Sequence, residues 1–156
     1  MSNAELSLDL QKCAQAAGSC ACFQFRKASR AITQHFDEIL QPTGLRSTQL
    51  VILLALALND DVSPAGLARQ LVMDRSTLVR NLKPLEKRGL VVSRPGKDRR
   101  TRSVYLTESG RLELSQAIPY WEKAQGEFLR NLGGSWEKLQ VGLEAAVRAS
   151  QRQIAS

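Results

Sequence analysis

Hydrophobic positions along this chain recur at helical spacing almost throughout, and switch to strand-like spacing only near the middle. Residues 5–17 read as helical or frayed, and Gly18-Ser19 interrupts them. Ser19 is then the expected cap of a long helix reaching about Leu40, with Cys22, Phe25, Ser29, Ile32, Phe36, Ile39 and Leu40 along one stripe. Arg26, Arg30 and Asp37 lie off it. Pro42-Thr43-Gly44 reads as a turn. Ser47 is the expected cap of a helix over residues 48–58, apolar nearly all round and so the expected centre of the core. Thr107 is placed to cap another helix, residues 108–131, with Leu114, Ile118, Trp121, Phe128, Leu129 and Leu132 on its buried side and a kink expected at Pro119. Gly133-Gly134 breaks it. Ser135 then caps a last helix carrying Leu139, Leu143, Val147 and Ile154.

Between these lies the most informative stretch, residues 63–106. Ser63-Pro64 supplies a cap and a first-turn proline for a short helix over residues 65–71, with Leu67, Ala68 and Leu71 facing inward. Val72-Met73-Asp74 leaves a three-residue turn. Asp74 is a good N-cap for a second helix, in which Leu78, Leu82 and Leu85 make an apolar stripe. The opposite face carries Ser76, Arg80, Lys83 and Lys87, with Thr77 at its edge. Pro84 removes a backbone donor near Arg80 and is expected to bend this helix or tighten its last turns, but the leucine spacing runs through it. Gly89 stands where a glycine stops a helix. Residues 90–94 and 103–106 are β-prone, joined by a polar loop too long for a tight hairpin. Helix, short turn, helix and appended hairpin is the winged helix-turn-helix pattern.

Charge narrows the partner. The chain has 156 residues, enough for one domain with its own core, and a formal net charge of +7. Residues 94–102 hold five basic side chains (Arg94, Lys97, Arg99, Arg100, Arg102) against one acid, Asp98, so a net +4 sits on one small loop. A basic helix beside a basic loop suits double-stranded DNA: the helix fits the major groove and the loop reaches the backbone or minor groove. Arg80 is the candidate for base readout, since a guanidinium grips guanine O6 and N7 together. Ser76, Thr77 and Lys83 suit phosphates or mixed edges, and Arg75 suits either. Arg99 and Arg102 would follow phosphates.

Other chemistries find little support. Enzyme, metal and cofactor signatures are all missing: the one histidine, His35, reads as a surface or core-edge residue, and Cys20-x-Cys22 has no partner pair for a metal. Three cysteines cannot all pair within one chain, so a disulfide scaffold is not expected. The densest apolar patch, residues 51–58, ends at Asn59-Asp60-Asp61, short of transmembrane length, and the N-terminus has no signal-peptide character. The expected location is the cytoplasm, with no membrane partner.

The segment Gly44-Leu45 … Gln49 … Leu67-Ala68 … Arg75-Ser76-Thr77-Leu78 … Leu85-Glu86-Lys87-Arg88-Gly89-Leu90-Val91 … Asp98-Arg99-Arg100 … Leu106-Thr107-Glu108-Ser109-Gly110 resembles the MarR family of bacterial transcription regulators. The resemblance runs from about Phe23 to Gly110. It implies a mainly α fold with a small β-hairpin wing: a DNA-binding lobe over residues 45–106, flanked by helical dimerisation regions over residues 5–42 and 108–154, all within a single domain of residues 1–156. It implies that Asp98 orients Arg100, which enters the minor groove, where a narrow A·T tract concentrates negative potential. It further implies a homodimeric repressor on a pseudo-palindromic operator, released by a small amphipathic or aromatic ligand.

Two alternatives stay open. Cys22-Phe23 … Ala28-Ser29-Arg30 … Thr33 resembles the start of the first helix in the family's organic-hydroperoxide sensors, where the matching cysteine is oxidised. That branch supports its cysteine with tyrosines, where this chain has Arg26, Phe36 and Ser47. A thiol-based regulator would use Cys22, flanked by Arg26 one turn on, with Cys13 or Cys20 as further redox candidates, against the plainer reading of Cys22 as a buried thiol on the apolar stripe. The other alternative is a winged-helix protein-interaction module that never touches DNA.

Overall fold

The computed structural model describes residues 8–59, 61–96 and 100–151. The chain divides into two compact units, one ending at His35 and the other starting at Phe36.

In the first unit Asp9 caps helix α1 (Leu10–Ser19), its carboxylate accepting the backbone N–H groups of Gln11 and Lys12 at 3.0 and 3.1 Å. Helix α2 (Ala21–Leu40) begins here. The break between them falls at Cys20, not at Gly18-Ser19, and Ser19 does not cap α2. Its hydroxyl donates to the carbonyl of Gln15 at 2.8 Å, so it serves the end of α1 instead.

The second unit is built round helix α3 (Ser47–Ala57), which buries Gln49, Leu50, Ile52, Leu53, Ala55 and Leu56. Its cap is Arg46 rather than Ser47. Gln49 explains the shift: its side-chain oxygen reaches back to the backbone N–H of Arg46 at 3.0 Å, while the Ser47 N–H is taken by the Asp37 carboxylate at 2.6 Å. Pro42 lies in a short 3-10 turn (Gln41–Thr43), and Gly44 follows it at φ +68°.

Helix α4 (Pro64–Gln70) is capped by the Ser63 hydroxyl, and helix α5 (Arg75–Lys87) by Asp74. Leu78, Leu82 and Leu85 of α5 are buried as their spacing predicts, and Pro84 sits inside one unbroken helix. Strands β1 (Val91–Pro95) and β2 (Arg102–Leu106) pair antiparallel, Val91 opposite Leu106 and Pro95 opposite Arg102. Val62 adds an isolated bridge to Val104, which ties the segment before α4 to the wing. Helix α6 (Glu108–Leu132) starts at the Thr107 cap and runs through Pro119; helix α7 (Trp136–Gln151) follows Gly133 and Gly134, both in the left-handed region. Leu40, Leu50, Leu53, Leu67, Leu78, Leu85 and Val104 close into one core, with Ile118 and Trp121 of α6 packed against it. Ile154 lies outside the described residues.

Candidate nucleic-acid interface

The orientation of α5 follows from its inward leucines. Burying Leu78, Leu82 and Leu85 turns Arg75, Ser76, Val79, Arg80, Lys83 and Pro84 outward, where together they line one shallow, open groove. Two rows run along this face at four-residue spacing: Arg75, Val79, Lys83 in one, and Ser76, Arg80, Pro84 in the next. Among the described residues no ion pair holds Arg75, Arg80 or Lys83. The helix itself is held firmly. Asn81 receives the Thr48 hydroxyl of α3 at 3.1 Å and donates to the Thr77 carbonyl at 2.9 Å. At the other end the Arg88 guanidinium donates to the Gly44 carbonyl at 3.1 Å and pairs with Glu113 of α6.

The start of α5 is a small hydrogen-bonded cluster. The Asp74 carboxylate accepts the Ser76 hydroxyl at 2.5 Å, the Thr77 hydroxyl at 2.6 Å and the Thr77 N–H at 2.8 Å. These bonds, the Ser76 hydroxyl first, hold the Asp74 carboxyl far below the usual carboxylate range. Its capping contribution is complete above an ordinary carboxylate pKa of about 3.9, and is lost only as the pH falls through the lowered value. The two hydroxyls predicted to meet phosphate therefore have their protons committed to Asp74.

The wing places Arg94, Arg100 and Arg102 on the surface. The Arg102 guanidinium donates across the hairpin to the Ser93 carbonyl at 3.3 Å. Asp98 and Arg99 lie outside the described residues. The hairpin's base is anchored by a bond that local sequence pattern does not reveal: the Tyr105 hydroxyl donates to Asp61 at 3.0 Å. Burial, and then the hydrogen bond and charge of Asp61, raise the Tyr105 phenol. Gly96 sits in the same cluster because a β-carbon there would come within 2.6 Å of the Ser103 hydroxyl oxygen.

The remaining candidates belong to the first unit. Cys13, Cys20 and Cys22 are free thiols, all exposed, so the reading of Cys22 as a buried stripe residue is corrected: every residue from 21 to 31 is exposed in the chain itself. Among the described residues there is no cluster fit to hold a metal, and no single helix is long and apolar enough to cross a membrane.

Comparison with known proteins agrees with this geometry. The family model described as MarR family matches residues 43–101, which include α3, α4, α5 and β1. The HTH-type transcriptional regulator SarZ of Staphylococcus aureus is 31% identical over 108 residues, 69% of this chain and 73% of SarZ. The HTH-type transcriptional regulator YdgJ of Bacillus subtilis is 27% identical over 133 residues, 85% of this chain and 79% of YdgJ. The M. tuberculosis transcriptional regulator MosR, crystallised in complex with DNA, superposes with a TM-score of 0.78 at 32% identity, covering 86% of this chain and 98% of MosR. With an outward basic helix, a basic wing and these relatives, the chain belongs to the MarR family of DNA-binding transcriptional regulators.

Proposed function

We propose that α5 enters the major groove of an operator and that the wing arginines flank it, two copies of the chain reading the halves of a pseudo-palindrome. The observation that carries this reading is the outward face of α5, with Arg75, Arg80 and Lys83 exposed and held by no ion pair among the described residues. MosR, a relative by sequence as well as fold, is crystallised with DNA. Arg80, near the middle of that face, reads a guanine; Lys83 and Arg75 meet phosphates or base edges; Arg100 reaches the minor groove, and Arg99 and Arg102 follow the backbone. Ser76 and Thr77 contribute chiefly through the cap they form with Asp74. The lobe is residues 45–106, and the helices over residues 5–42 and 108–154 join two subunits, in a cytoplasmic repressor that a small amphipathic or aromatic ligand releases. A two-fold operator asks for a two-fold protein.

The test compares two arginines on a matched and a scrambled duplex across a salt series. Arg80→Ala should relax preference at one base position and cost about 1–3 kcal/mol. Arg102→Ala should weaken all sequences alike and lower the salt slope by about one unit. Identical behaviour of the two variants would overturn the assignment of roles.

A further inference from the structure

The outward face of α5 is not uniformly polar. Val79 lies between Arg75, one turn before it, and Lys83, one turn after, and its side chain is 39% exposed. Leu78, Leu82 and Leu85 fill the inward stripe, so Val79 is not needed to close the core. It sits in the same groove as Arg80. A single exposed valine is ordinary on a protein surface; what marks this one is its place in the groove among Arg75, Arg80 and Lys83, where an anionic partner bound to those cations would meet it. Duplex DNA brings one apolar group into the major groove, the 5-methyl of thymine.

We propose that Val79 is a specificity-determining residue that packs on a thymine methyl in each half-site, next to the base read by Arg80. The inference rests on the placement of α5 in the major groove, and charge complementarity supports it. Arg75 and Lys83, one turn to either side in the same row, suit the phosphates of the groove's walls, which would leave the valine's γ-methyls toward the base edges beside Arg80. Arg80 supplies directional hydrogen bonding, and Val79 supplies shape. Together they would distinguish thymine from cytosine beside a guanine, which a guanidinium alone does not do.

The probe is a duplex selected from a random library by the full-length protein, then resynthesised with deoxyuridine in place of each thymidine in turn. Deoxyuridine removes only the methyl. At one position per half-site the substitution should weaken binding by the native protein about fourfold, as expected for one methyl withdrawn from water. Val79→Ala should bind the thymidine duplex about fourfold or more weakly and be indifferent to deoxyuridine at that position. Alanine favours a helix more than valine does, so the variant should keep its fold, and thermal unfolding checks this. Arg80→Ala should still feel the missing methyl. Tolerance of deoxyuridine at every position, or a deoxyuridine penalty undiminished in Val79→Ala, overturns the inference while leaving the DNA interface standing. Failure of the native protein to retain any duplex at low salt overturns the interface and the inference together.

Discussion

Along α3, six side chains are buried and apolar residues occupy nearly every side of the helix; along α7, no residue is buried, and Leu139, Val141 and Val147 stand exposed. The two helices differ in where their partners are. Those of α3 come from the same chain: α4, α5, the wing and α6 close round it. For α7 the described residues supply an edge-on contact of Trp136 with Phe128, ring centres 6.0 Å apart, but bury none of its side chains. A helix that keeps an apolar stripe without a partner in its own fold is suited to a second copy. The lobe should therefore hold its structure from within, while α7 depends on assembly.

The largest effect should come from removing the second region altogether. A chain ending before Ser135 should lose the dimer and be monomeric or aggregated, which light scattering decides. A stable, soluble dimer of the truncated chain would place the interface elsewhere and break the contrast. Point changes come next. Leu53→Ala, at a fully buried site in α3, should cost about 2–5 kcal/mol in denaturant unfolding. Val141→Ala, at a side chain 64% exposed, should stay within about 0.5 kcal/mol in the separated chain. Equal losses would show that α7 is buried against its own lobe.

Two glycines sharpen the comparison. A β-carbon on Gly110, in the first turn of α6, would come within 2.1 Å of the Leu90 carbonyl oxygen, and backbone cannot step aside. Gly110→Ala should cost about 1–3 kcal/mol or more, and should loosen the junction of α6 with the wing. At Gly142 in α7 nothing lies within 4 Å. Gly142→Ala should stabilise the helix by about 0.5–1 kcal/mol, since glycine in a helix interior is that much poorer than alanine. A loss at Gly142 that grows with protein concentration would instead locate close subunit packing at that residue.

The lobe was legible in the sequence because its determinants are local. Leucines at helical spacing, caps such as Asp74 and Thr107, and glycines at helix ends act over a few residues, and each recurs in the structure. The expected caps at Ser19 and Ser47 each fall one residue from the observed helix boundary, because a serine hydroxyl or N–H has several partners within reach. A distant competitor decided one of them: Asp37, ten residues away, takes the Ser47 N–H. The features missed outright join residues far apart, as Tyr105 does with Asp61 and Arg88 with Gly44 and Glu113. No periodicity encodes such pairs. Of the candidate interface, the basic residues of α5 and the wing were identified from charge and spacing. The engagement of the Ser76 and Thr77 hydroxyls with Asp74 is not legible in this way, because an N-cap carboxylate is expected to take backbone N–H groups.

A gain of similar size to that at Gly142 is expected at the turn between α4 and α5. Two helices of the lobe end in the same way. At the end of α5, Gly89 donates to the Glu86 carbonyl and Leu90 to the Leu85 carbonyl, with Gly89 at φ +70°. At the end of α4, Val72 donates to Arg69 and Met73 to Ala68, with Val72 at φ +52°. Both are Schellman ends, whose left-handed residue is normally glycine, and a β-branched residue there is strained. Val72 is 60% exposed, so burial does not offset that strain. Val72→Asn should raise stability by about 1 kcal/mol, because asparagine tolerates the left-handed region. Val72→Gly should gain less, since glycine also adds freedom to the unfolded chain. Denaturant midpoints at unchanged slope measure both. If asparagine proves no more stable than valine, the isopropyl group is held by something beyond this chain, and the helix-turn-helix joins α7 as a region completed by a partner.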